Sequence, residues 1–367
     1  NRLEGHTAEV WDIALSPDGQ LIASASGDAT VRQWQLDGTL IDSHGHDTRV
    51  WGVRFSPDGK FIASASDDGT VQLRSLENNQ ILILDDHTDA VWDIDFSPNG
   101  QTIASASRDR TVRLWNLNGD TVAILDGHTG PVSDVRFSPN GETIASASDD
   151  RTVRLWSLDG TPINTLMAHS DWVADISFSP DGQRIASAGW DGIVKLWDQN
   201  GNQIEVLEGH EREVEDVRFS PDGQILASAS ADGTVRLWRR LNGTLIATLE
   251  GHEGTVIDIN FSPDGRKLVS AGQDGTVKLW DINGALIDTL EGHIGRVIDV
   301  RFSSDGQTIV SAGEDGTILL WDVDGINRSR DIQGKTIEEL IQISCEWMRD
   351  YLNTNPRVTQ FERDACT

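Results

Sequence analysis

A histidine, a serine and an aspartate recur together along this chain at a fixed spacing. His6, His46, His87, His128, His169, His210, His252 and His293 are each followed twenty-two residues later by an aspartate, from Asp28 to Asp315. A serine stands four residues before every one of those aspartates, from Ser24 to Ser311. In one pocket these types would be a nucleophile, a general base and an orienting carboxylate, the parts of an acyl-transfer site. The repetition argues against that chemistry. An active site occurs once and differs from its neighbours, whereas a set renewed every 40 to 42 residues answers a need of the fold. Six residues past the aspartate comes a tryptophan in seven copies, and Arg74 in the second. Each of these groups is polar, so each needs a partner once buried. No catalytic residue is expected.

The elements that position them are short strands. After each His the apolar residues alternate, as at Val132, Val135 and Phe137, with one irregularity that implies a bulge. A Ser-Pro-Asp/Asn-Gly turn follows, in which Pro presets one dihedral and Gly supplies the positive one. Residues 144–148 and 152–156 are further β-rich runs around a tight turn, and 121–125 follows an Asn-Gly turn at Asn118–Gly119. Four strands joined by hairpins make one small antiparallel sheet. Such a sheet cannot bury both faces alone, and eight of them stacked around an axis can.

Gly-His, the SPDG turn and the terminal Trp-Asp of Trp197–Asp198, Trp280–Asp281 and Trp321–Asp322 resemble the WD-repeat β-propeller family. The resemblance covers residues 1 to about 325. It implies an all-β, eight-bladed propeller of four-stranded antiparallel blades, followed by a short C-terminal helical tail. It also implies that His meets Asp, that Ser bridges His and Trp, and that the indole N–H completes a structural chain. Asp86 and Ala168 depart from the pattern by replacing the Gly before His, and Arg74 by replacing Trp.

The formal charge is -29, and there are 59 acids against 30 bases. Part of that excess sits in turns. It still argues against nucleic acid, whose phosphates need clustered Lys and Arg, and against anionic membrane surfaces. No apolar run approaches a membrane span, and no leader pattern is present. The first residue is Asn, which suggests an excised piece of something longer. Two cysteines, Cys345 and Cys366, exclude a disulfide framework and suit the cytoplasm. They could form a disulfide, part of a metal site or two buried thiols, and a reducing compartment favours the thiols.

Residues 1–4 align with the end of a fourth strand, at 288–291. They are expected to close the last blade. Residues 326–331 are the alternative, and they lack the apolar alternation of other fourth strands. Residues 326–367 read as a linker and helical segment. Thr336 and Glu339 form a capping box, and Ile337, Leu340, Ile341, Met348 and Leu352 recur at helical spacing. From Glu338 to Cys366 the tail resembles the terminus of large bacterial proteins in which WD-repeat arrays follow a nucleotide-switch or effector domain. Coupling to such an upstream domain is therefore implied.

Other chemistry is thin. No phosphate-cradling loop or zinc spacing appears, so no cofactor or metal is expected, and His44 reads as a surface residue. Asp12, Asp93, Asp134, Asp175, Asp216, Asp258 and Asp299 lie six residues after their His, where the second copy has Gly52. Two residues further, Arg54, Arg136, Arg218 and Arg301 appear in even copies only. The alternation points to arginines neutralising a ring of aspartates near a central channel. Plain strand-edge ion pairs are the alternative, preferred over a cation site.

The resemblance places a ligand-facing rim at three positions per blade: the third and fifth residues after His, and the residue before the tight-turn Asp. Of 13 tryptophans, seven are framework and Trp347 is in the tail. The remaining five, Trp11, Trp51, Trp92, Trp172 and Trp190, all fall on this rim. Exposed Trp and Arg are enriched where proteins bind partners. The expectation is a protein- or peptide-binding module. Trp11, Trp51 and Trp92 would anchor the ligand, Arg49 and Arg108 orient it, and Glu213 with Glu215 repel wrong partners. A spacer that oligomerises through the tail, and an enzyme with a site in the central channel, are the competing readings.

Overall fold

The computed structural model describes residues 1–326. It divides into two units, Asn1–Trp321 and Asp322–Thr367. Of the second, only 322–326 is described, with a single helical turn at 323–326. The segment expected to be helical, with Cys345 and Cys366, lies outside the described residues.

The first unit is a ring of eight four-stranded antiparallel sheets. Blade one is typical: Val10–Leu15 innermost, then Leu21–Ser26, Thr30–Gln35 and the outer strand Leu40–Gly45. The innermost strand of each blade lies against that of the next, and blade eight meets blade one. Arg2–Leu3 pairs antiparallel with Ile318–Asp322 as the outer strand of blade eight, so the first and last strands of the described residues join in one sheet.

Hydrophobic cores sit between blades rather than within them. Between blades three and four, Ala104, Ala106, Val112, Leu114 and Leu125 meet Val132, Val135, Phe137, Ile144 and Trp156. Small alanines on the middle strands let the sheets approach, and the indole of the following blade fills the wider outer part. Burying an indole of about 200 Å² at about 25 cal per Å² stabilises by roughly 5 kcal/mol. The lower turns lock themselves: Ser16 Oγ donates to Asp18 Oδ1 at 2.5 Å and Gly19 N–H to Ser16 O at 2.8 Å. Gly19 has φ +69°, and a Cβ there would fall 2.5 Å from Ser304 Oγ of the preceding blade.

Candidate functional site

The repeated His, Ser and Asp form one directional chain per blade. In blade four, the Trp156 indole N–H donates to Ser146 Oγ at 2.9 Å, Ser146 Oγ meets His128 Nε2 at 2.8 Å, and His128 Nδ1 meets Asp150 Oδ2 at 2.8 Å. Asp150 also accepts from the Thr152 hydroxyl and the Thr129 N–H. A neutral histidine with its proton on Nδ1 satisfies every member. Burial pushes the His6, His128 and His293 imidazoles below their ordinary value, against the pull of their aspartates. Burial alone would raise the Asp28 carboxyl, but hydrogen bonds from Thr30, His6 and the Thr7 N–H outweigh it and hold it at about 2. All eight serines, from Ser24 to Ser311, are 0% exposed. A hydroxyl that no substrate can reach, and that already holds an indole, cannot act as a nucleophile.

The rim owes its geometry to a bulge. In every blade the innermost strand loses register at the fifth residue after His, as between Val10 and Asp12 or Val50 and Gly52. The extra residue faces no partner across the ladder and is turned toward the channel mouth. Trp11, Trp51, Trp92 and Glu215 occupy this position and line a mouth cavity of about 240 Å³. Trp11 and Trp51 pack with centroids 4.7 Å apart and planes inclined by 52°, and the Arg49 guanidinium lies 5.2 Å from the Trp51 ring. Asp67 ties this group together: it accepts from the Trp51 N–H at 2.6 Å and pairs with Arg49 Nε at 3.1 Å.

The second indole pair is in blade five. Trp172 and Trp190 stack at 4.7 Å and are 43% and 38% exposed. Trp190 lies beside Glu215, whose carboxyl burial pushes up. Glu213 pairs with Arg212 at 3.5 Å, and Arg108 with Asp89 at 3.9 Å. Arg49, Arg108, Trp172, Trp190 and Glu213 thus stand on the rim outside the mouth cavity.

Beneath the mouth runs the aspartate ring, whose role as a staple sequence reasoning missed. Asp12 accepts the Val53 N–H of the next blade at 2.8 Å, and Asp299 accepts the Ile13 N–H at 2.7 Å. Seven seams carry this bond. At the seam between blades two and three, Gly52 has no side chain to make it. The four arginines lie against the ring: Arg54 Nη1 sits 2.5 Å from Asp12, Arg136 Nη1 2.5 Å from Asp93, Arg218 Nε 3.0 Å from Asp216 and Arg301 Nη1 3.0 Å from Asp258.

Asp134 faces Asp93 and Asp175, Asp216 faces Asp175 and Asp258, and Asp299 faces Asp258 and Asp12, so like charge gathers around each of the three. Burial pushes Asp134, Asp216 and Asp299 well up despite their arginines. Asp93 and Asp258, each beside two guanidiniums, are held low although burial opposes it. No cluster suited to a metal ion occurs among the described residues.

The seam between blades one and two carries a correction, since His44 stands on the outer strand of blade one. His44 is not a plain surface residue: burial pushes its imidazole down to about 4, and its Nδ1 lies 3.1 Å from Arg74 Nη1. Arg74 is buried and also bonds Asp42 of blade one and Asn79. It leaves Ser64 to His46 alone, at 2.8 Å. The core between blades one and two contains no indole, and its buried cluster is the smallest of those described.

Residues 1–198 match the family model described as IFT122 first beta-propeller. Residues 201–239, 243–281 and 284–322 each match the WD domain, G-beta repeat. The protein described as probable cytosolic iron-sulfur protein assembly protein CIAO1 homolog from Ixodes scapularis is 47% identical over 36 residues, 10% of this chain and 11% of that one. The homologue of the same description from Chlamydomonas reinhardtii is 56% identical over 32 residues, 9% of each. These matches span about a tenth of the curated relatives' length. The crystal structure of the computationally designed Ika8 protein aligns with a TM-score of 0.79 at 30% identity, over 88% of this chain and 98% of that one.

Proposed function

We propose a binding role without catalysis for this chain, which belongs to the WD-repeat β-propeller family. It takes a protein or peptide ligand on the rim that carries the five non-framework indoles. One observation carries this reading: Trp172 and Trp190 stack on each other in water, 43% and 38% exposed, where no core needs them. Exposed aromatic pairs of this kind favour a partner that would cover them. Trp11, Trp51 and Trp92 extend the surface to the channel mouth.

Against the catalytic alternative, the eight repeat serines are buried and the ring aspartates are engaged in staples and ion pairs. The net charge of -29 disfavours nucleic acid and anionic membranes, and a cytoplasmic sensor coupled to an upstream domain fits it. No helix among the described residues is long and apolar enough to cross a membrane.

The test is Trp51→Ala combined with Trp92→Ala in a pull-down. A partner anchored on two indoles should weaken by at least about thirty-fold, from about 2 kcal/mol per hot spot. Unchanged partners from a folded double variant would refute the reading.

A further inference from the structure

The sequence suggested that Arg49 and Arg108 would orient a ligand, which favours an acidic partner. The rim geometry points the other way. Four arginines of this face have an acid beside them: Arg49 with Asp67 at 3.1 Å, Arg108 with Asp89 at 3.9 Å, Arg212 with Glu213 at 3.5 Å and Arg296 with Glu314 at 3.3 Å, while Arg110 and Arg151, one residue past their tight-turn aspartates, are exposed and make no ion pair among the described residues. The rim contains no lysine. Among the described residues, Glu9, Asp47, Asp149, Asp171, Glu211 and Glu253 have no ion-pair partner. Four of these six are exposed.

Acids on the opposite face have a local purpose. Asp18, Asp58, Asp181, Asp222, Asp264 and Asp305 each accept from the serine of their own SPDG-type turn. Asp47, Glu211 and Glu253 accept no such bond from a turn, so the fold does not require their charge. A surplus of like charge crowded on one rim costs energy by self-repulsion, and a basic partner would relieve it.

The two indole pairs set the partner's shape. Trp11–Trp51 stands on blades one and two, and Trp172–Trp190 on blade five, which faces blade one across an eight-membered ring. We infer that the rim binds an extended cationic segment whose apolar or aromatic side chains seat on the two indole pairs while its Lys and Arg residues lie along the acids between them. This inference rests on the proposed binding role and adds the ligand's charge and reach.

The experiment is selection of a random dodecapeptide library on the intact chain, after which each selected peptide is tested on a Trp51→Ala, Trp172→Ala variant. Selected peptides are then synthesised and titrated at low and high salt. The expected result is peptides that lose binding on the variant, carry net positive charge with apolar residues toward both ends, and weaken as salt rises. Asp171→Asn and Glu211→Gln should each weaken them about two- to five-fold, as the removal of an exposed charge partner does. Peptides that need the indoles but are acidic or neutral would overturn the cationic inference and leave the rim as a binding face. Peptides indifferent to the indoles, or none at all, would overturn the binding role itself and this inference with it. Trp172 is exposed, so its removal leaves the fold standing. Circular dichroism of the variant checks that point.

Discussion

The aspartate ring divides its members by neighbour rather than by sequence. Asp93 touches Arg136 at 2.5 Å and Arg54 at 3.5 Å, so its carboxyl is held low against its burial. Asp134 touches Arg136 at 2.8 Å but faces Asp93 and Asp175, and burial pushes its carboxyl well up. Asp134→Asn removes a charge that the site disfavours and should cost under about 1 kcal/mol. Asp93→Asn leaves two half-buried guanidiniums short of a counter-charge and should cost about 3 kcal/mol. The pH response follows from linkage. Asp134 has a raised value when folded, so its contribution is full in acid and is lost as pH rises. His6, His128 and His293 are lowered, so theirs is full above the unfolded value near 6.5 and is lost as pH falls. Asp134→Asn should therefore flatten the alkaline arm of a urea-midpoint profile and leave the acid arm alone. Equal losses for the two variants, or an unchanged alkaline arm, would contradict this difference between the two aspartates.

Blade two is the weak element, for two separate reasons. On one side Arg74 replaces an indole worth roughly 5 kcal/mol of burial and reaches to Asp42 instead. On the other, Gly52 omits the staple to blade three. A Cβ at Gly52 would meet only ordinary contacts, the nearest at 3.5 Å from Trp92 O, so a side chain fits. Amide exchange in blade two should be faster than in the other blades. Gly52→Asn, offering an acceptor to the Ile94 N–H, should slow it and add about 1 kcal/mol. Equal protection across all blades would contradict both statements. The eight-bladed architecture was legible in the sequence because the period is strict, and the broken alternation at Val132–Val135 announced the bulge that aims the rim. The staple was not legible, since it joins an aspartate to an amide some forty residues away and has no local pattern. His44 was misjudged for a similar reason: its burial depends on Arg74, a compensation that exists only in three dimensions.

At the scale of the molecule, sameness and difference separate cleanly. The buried chains of Trp, Ser, His and Asp repeat around the ring and hold it, so they cannot distinguish this protein from another ring of eight blades. The Ika8 structure, 30% identical over 88% of this chain, illustrates how far the framework alone extends. What varies is the bulge residue and the two loop positions beside it. There the chain concentrates Trp11, Trp51, Trp92, Trp172 and Trp190 among surplus acids. The most direct measurement is hydroxyl-radical footprinting of the tryptophans with and without a captured partner. The account predicts that oxidation falls at Trp172, Trp190 and Trp51 while framework residues such as Trp115 and Trp156 stay unchanged. Protection confined to the outer strands or the lower turns, with the rim indoles as reactive as before, would contradict it.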